Sequence, residues 1–207
     1  VVVGTLAAAC SSASSSPTTT GSTSATSTTL SPAVRAVLEP KLLTLADFPK
    51  GWKRDTEPNA AETGDTPPCL ADVVLAKGST HLAHAVFVGP AGDQAVVIHT
   101  VAVFPPGGAQ ASASSLRSGF LACNGSSTTL ANGVRVHLAT SLLPGQSAAD
   151  ADGFAGRMTV TSASQQDDLY VVVSVVGDIT TSLVWSAGTD LPDTTVLALA
   201  ATARQRA

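Results

Sequence analysis

Four histidines, fifteen carboxylates and three cysteines are the groups in this 207-residue chain whose types and spacing could do chemistry. His81 and His84 stand three apart, a spacing that on a helix would place two imidazoles on one face as metal ligands. A metal site needs three or four ligands, and neither a third histidine nor a carboxylate lies near them; they also precede an apolar run that reads as a strand. No metal and no cofactor is expected. His99 and His137 fall inside strand-like runs, where a histidine is either a base or a hydrogen-bonded structural residue. The nucleophile motifs that would decide for a base are absent: there is no Gly-x-Ser-x-Gly elbow, no Ser-x-x-Lys and no glycine-rich phosphate loop. Asp150/Asp152 and Asp167/Asp168 are paired carboxylates that could share acid/base work, but adjacent acids beside turns read first as solvated loop charges. Trp52, Trp185 and His99 are the candidate ligand-binding residues, since pockets are mostly apolar with a few polar groups. In a chain with only eight aromatic residues the alternative for each tryptophan is the core.

Cys10, Cys69 and Cys123 carry a different message. Cys10 follows the apolar opening Val1 to Ala9 and precedes Ser11-Ser12-Ala13-Ser14-Ser15-Ser16. An apolar stretch, small residues and then a cysteine is the pattern of a bacterial lipoprotein signal, cut before a cysteine whose thiol carries diacylglycerol. Residues 1–9 are then a cleaved signal remnant. No Lys or Arg precedes Arg35, which reads as a signal whose start lies upstream. Nine apolar residues are far short of the ~20 that span a bilayer, so the acyl group would be the membrane attachment. With Cys10 acylated, Cys69 and Cys123 remain as one pair in a compartment where disulfides persist. A bridge between them closes a loop of about 54 residues, worth roughly 4 kcal/mol on the chain-entropy argument. A reactive thiol or a metal pair is the alternative, and no Cys-x-x-Cys motif supports it.

The elements that must position these groups follow the tether. Residues 11–29 are nearly all Ser, Thr, Ala and Gly, too poor in apolar surface to order themselves, and would reach at most roughly 65 Å when extended. Residues 30–207 read as a single globular domain, with 44% hydrophobic and 13% charged residues over the whole chain. A net charge of −4 without a basic stripe excludes an electrostatic nucleic-acid binder. Ser31-Pro32 starts a helix with Val34, Val37 and Leu38 on one face. A second short helix is expected over Lys41 to Ala46, and another over Cys69 to Leu75. Strands are expected over Ala83–Val88 and Ala95–Phe104, the latter apolar on both faces and therefore covered on both sides. Ala109 to Cys123 reads as a helix whose stripe runs through Ala109, Ala113, Leu116, Phe120 and Cys123. Strands follow at Val134–Thr140, Gly153–Thr161, Leu169–Val176 and Ile179–Trp185, with hairpin turns at Ser162–Asp168 and Gly177-Asp178. A last helix spans about Pro192 to Arg204. The expected fold is α+β, a mainly antiparallel sheet of about six strands with helices packed on it.

The segment Leu42-Leu43-Thr44-Leu45-Ala46-Asp47-Phe48-Pro49-Lys50-Gly51-Trp52 adds a resemblance. Together with a cysteine after a polar loop, a second cysteine ending the following helix and an apolar C-terminal helix, it covers residues 42–205. This order resembles a group of actinobacterial exported proteins: lipoproteins of the LpqN type and sensor domains similar to the extracellular part of the kinase PknH. The resemblance implies an α/β sandwich, PsbP-like in some members, and a role in binding an envelope ligand or partner rather than in catalysis.

The expected function is therefore a non-enzymatic, lipid-anchored sensor-like domain on the outer face of the plasma membrane. Its partner would be an apolar envelope molecule or another envelope protein, and not nucleic acid. Two other readings stay open: an exported hydrolase using a serine with His99 or His137, and an accessory subunit of an envelope complex.

Overall fold

The computed structural model describes residues 31–55, 76–90, 95–130, 133–144, 152–163, 165–187 and 193–207. The chain forms an α+β domain built on one open antiparallel sheet. The strands are β1 (Lys53–Asp55), β2 (His81–Val88), β3 (Val96–Val103), β4 (Ser127–Thr129), β5 (Arg135–Leu142), β6 (Gly153–Thr161), β7 (Gln166–Val176) and β8 (Ile179–Ala187). They lie in the order β1-β2-β3-β8-β7-β6-β5-β4, and every neighbouring pair is antiparallel. Six of these were expected from alternation and β-branched runs. The other two, β1 and β4, are three-residue polar edge strands whose residues carry no apolar alternation to reveal them.

Among the described residues three helices pack against the sheet. Helix α1 (Pro32–Leu38) starts as its sequence demands: Ser31 Oγ accepts from Val34 N–H, and Pro32 fills the first turn, where no N–H is needed. The expected helix over Lys41 to Ala46 is instead two 3₁₀ turns, Glu39–Lys41 and Leu45–Asp47. The second is a closed capping box, with Asp47 accepting from Thr44 N–H at 2.7 Å, which favours a single tight turn over a helix. Helix α2 is Gly108–Ala122 and helix α3 is Asp193–Arg206. The expected helix over Cys69 to Leu75 lies outside the described residues, as do Cys10, Cys69 and the tether.

Each sheet face has its own core. One holds Leu38, Leu42, Leu43 and Phe48 together with Val196, Leu199, Ala200 and Ala203 of α3, packed on Phe87, Val97, Val101, Tyr170, Val172, Leu183 and Trp185. The other packs Ala113 and Phe120 of α2 on Val136, Leu138, Phe154, Met158, Val171, Val173 and Val184. Strand β3 is covered on both sides as its doubly apolar pattern required, with Val97 and Val101 on one face and Ala102 on the other fully buried.

The stripe of α2 is inward as expected, with Ala109, Ala113 and Phe120 buried and Leu116 and Cys123 partly so; Arg117 is buried beside it, which the apolar spacing did not show. The close approach of Phe120 fixes this phase. A Cβ on Gly156 of β6 would stand 2.5 Å from the Phe120 ring and 3.1 Å from the Ser141 carbonyl oxygen. Gly156→Ala should therefore lower unfolding free energy by about 1–3 kcal/mol through overpacking. Urea unfolding would detect this, and an unchanged midpoint would show that α2 can slide.

Candidate functional site

The sheet register decides which sequence candidates meet. Phe87 opposes Val97, Val97 opposes Trp185, and Trp185 opposes Tyr170, so these four side chains line one face across β2, β3, β8 and β7. His99 sits two residues along β3 on that same face, opposite Leu183. The segment before β1 closes over them. Phe48, just after the Leu45–Asp47 turn, stacks on Phe87 at 4.4 Å between ring centroids and on Trp52 at 4.9 Å. Trp52 in turn meets Trp185 edge-on at 5.8 Å and 85°. Trp52, Trp185 and His99 thus share one face, but in unequal roles.

Trp185 is 4% exposed, and its indole N–H has no hydrogen-bond partner among the described residues. Trp52 is half-buried and packs on the core from outside. It follows Gly51, whose φ of +99° lets the chain turn sharply into β1. Phe48 and Phe87 complete the ring cluster. Phe48 stands in the Asp-Phe-Pro segment, whereas Phe87 is an ordinary strand residue in the sequence, and only the register brings it beneath Phe48.

His99 is a structural node. Its Nδ1 accepts from Leu43 N–H at 3.0 Å, which leaves the proton on Nε2 to be donated to Thr181 Oγ1 at 2.7 Å. The ring is wholly buried. Burial lowers its pKa to about 3, assisted by the Arg206 charge and opposed by Asp47. Arg206 also donates to the Leu42 carbonyl at 2.8 Å and to Asp47 Oδ1 at 2.7 Å. His99 and Arg206 together fasten the segment around Leu42 and Leu43 to the sheet and to α3. With both ring nitrogens engaged and no solvent access, His99 has nothing to give a substrate.

The remaining chemistry candidates are dispersed. His81 and His84 are exposed on β2, and three residues apart on a strand they point to opposite faces. Among the described residues no three His, Cys, Asp or Glu side chains converge on a common point. His137 lies exposed on β5 with Ser127 Oγ 3.4 Å from its Nδ1, a cross-strand contact on the sheet edge too long and too open for an activated nucleophile. Asp167 and Asp168, expected in a turn, belong to β7. Asp168 accepts from Arg157 and, at 2.7 Å, from Thr159 Oγ1. Burial alone would raise its pKa, but the hydrogen bonds from Arg157 and Thr159 and the Arg157 charge hold it below the usual carboxylate range. Arg157 also lies over the Tyr170 ring, 5.9 Å from its centroid. This Arg157–Asp168–Tyr170 group went unseen in the sequence because β-register, not sequence spacing, unites it. Asp152 pairs with Arg204 at 3.3 Å, and Asp150 is outside the described residues.

Cys123 caps the C-terminal end of α2 and is half-buried against the second core, the inward position the helical stripe implied. Asn124 beside it accepts from Thr140 N–H at 3.0 Å, tying this helix end to β5.

An open antiparallel sheet with helices on both faces and one aromatic-lined end defines the class of domain. The fold is shared with the extracellular domain of PknH from Mycobacterium tuberculosis. The two are similar with a TM-score of 0.53 and 16% sequence identity over 86% of this chain and 91% of that one. No family model matches the chain, and no curated protein does. Among the described residues no helix is long and apolar enough to cross a membrane.

Proposed function

We propose that this chain is a lipid-anchored, non-catalytic binding domain of the cell envelope. In this reading it is acylated at Cys10, stapled by a Cys69–Cys123 disulfide, and displayed on the outer face of the plasma membrane. The observation that carries the non-catalytic part is the engagement of the candidate acid–base groups. His99 is held by Leu43 and Thr181, and Asp168 by Arg157 and Thr159. The lone pair of His99 that could take a proton, on Nδ1, already accepts the Leu43 backbone N–H in a sealed core. The likeness to an extracellular domain agrees with an exported location, but a shared fold carries no function by itself. The inward, half-buried placement of Cys123 suits a buried bridge.

Three measurements test the reading. A fluorophosphonate probe should leave the chain unlabelled, and labelling abolished by a single serine substitution would replace the reading with a hydrolase. Cys10→Ala should move the protein from the membrane fraction to the medium. Non-reducing peptide mapping should recover Cys69 and Cys123 in one linked peptide pair, and recovery of both as free thiols overturns the staple.

A further inference from the structure

We propose that the ring cluster around Trp185 is a binding site for an apolar molecule that carries a lone carbonyl acceptor, such as a fatty-acyl ester. The proposal rests on the binding-domain reading above and names its ligand class. Its starting point is the Trp185 indole N–H, which is more than nine-tenths buried and unpartnered among the described residues. Nearly all buried donors in folded proteins find an acceptor. A donor left without one gives up its hydration with nothing in return, which a bound acceptor would recover. The sheet register holds this indole rigidly, between Val97 on β3 and Tyr170 on β7.

The surroundings specify the rest of the ligand. Trp52 meets it edge-on, Phe48 stacks on Trp52, and Phe87 stacks on Phe48 in turn. Phenylalanine rings offer no conventional donor or acceptor, and an indole offers a donor only. These four rings therefore suit an apolar body with one acceptor. A polyol would bring several hydroxyl donors that none of the four rings accepts with an oxygen.

Trp52 supplies the entrance. It is the half-exposed ring of the four, and it lies directly after Gly51, whose positive φ marks the turn into the edge strand β1. On its other side is Gly89, where a Cβ would stand 3.6 Å from the Trp52 ring. An outward swing of Trp52 uncovers Trp185 without breaking any pairing between β2, β3 and β8. The acyl carbonyl oxygen then accepts from Trp185 Nε1–H while the chain lies against Phe48 and Phe87.

The chain has two tryptophans, so a ¹H–¹⁵N spectrum of the 207-residue protein carries two indole signals, one for each ring. Titration with methyl octanoate should move the Trp185 indole proton downfield as it gains an acceptor, and should shift Trp52 as that ring is displaced. Octane, with the same apolar body and no acceptor, should leave the Trp185 proton in place. Trp185→Phe should weaken methyl octanoate about 3- to 10-fold, the worth of one neutral hydrogen bond, and leave octane unaffected. A Trp185 signal that stays fixed at saturating ester, or that octane moves equally, overturns the site. If Trp185→Phe loses its dispersed spectrum, the comparison of ester with alkane on the unmodified chain decides alone. The ester should be recovered intact. Its hydrolysis to octanoate would overturn the non-catalytic reading, whereas intact ester with a fixed Trp185 signal overturns only the site.

Discussion

Gly153→Ala is expected to be the most damaging single-methyl change in the domain. Gly153 opens β6 opposite Ser174 of β7, and the preceding Asp152 carbonyl accepts from Val175 N–H at 2.8 Å. The two strands are so close there that a Cβ on Gly153 would lie 1.9 Å from the Val173 carbonyl oxygen. That contact is with backbone in the middle of the sheet, so no side-chain rotation relieves it. Gly153 also has φ of +127°, a conformation that a side chain disfavours whatever the space around it. Strain of about 1–3 kcal/mol and a similar overpacking term act together, so a loss of about 3 kcal/mol or more is expected. In a domain of this size that is a fall in Tm of roughly 10 °C. Gly177→Ala is the matched control. Gly177 also has positive φ, +61°, but nothing lies within 4 Å of its would-be Cβ. It should lose only about 1–2 kcal/mol. Equal melting of the two variants would show that the clash at Val173 is relieved by strand movement.

Acid should destabilise the domain from about pH 6.5 downward, through one buried histidine. His99 has a folded pKa of about 3 against an ordinary 6.5. Between those values the unfolded chain binds a proton that the native state refuses, because protonation at Nδ1 would displace the Leu43 N–H and place a charge in the core beside Arg206. The unfolded state therefore holds more protons, and stability rises with pH across this window. His99's contribution is complete above pH 6.5 and is lost as pH falls toward 3, by about 1.4 kcal/mol per unit. By pH 4.5 the loss reaches roughly 3 kcal/mol, a large part of a typical total of about 5–15 kcal/mol. Asp168, with its lowered pKa, also loses stabilisation as acid is added, but only below the ordinary carboxylate value. The two windows separate the causes. Urea unfolding at pH 7, 5.5 and 4.5 should show the slope in the parent chain and little of it in His99→Gln, which keeps an acceptor and a donor but cannot titrate. A parent chain equally stable at pH 6.5 and 4.5 would show that His99 protonates in place.

Much of the local architecture was legible. The Ser31-Pro32 start, the three- and four-residue spacing of α2 and the β-branched runs of β2, β3, β6, β7 and β8 are written in patterns with a direct physical cause: the periods of 3.6 and 2 that bury one face. The strands with no such period, Lys53–Asp55 and Ser127–Thr129, were not legible. They are strands because a neighbour offers an unpaired edge, and a polar tripeptide joins it through its backbone alone. The stripe of α2 was legible, but the burial of Arg117 beside it was not, because it depends on the surface that β5 to β8 bring under the helix.

The period and polarity of each segment are written in its own residues, and with them an α+β domain with an antiparallel sheet. The sequence also singled out Trp52, Trp185 and His99 as residues worth locating. It could not say that β8 inserts between β3 and β7, because strand order depends on pairing between segments some eighty residues apart. That His99 is a sealed node holding Leu43, while the Trp185 N–H has no acceptor among the described residues, is a property of the assembled fold. Both are polar aromatic groups in apolar strands and read alike as sequence. The difference is made by which backbone and side-chain groups arrive from distant elements: Leu43 and Thr181 meet the imidazole, and no acceptor among the described residues meets the indole N–H. Hydrophobic burial is encoded locally, in pattern, whereas the satisfaction of a buried polar atom is settled by its three-dimensional neighbours.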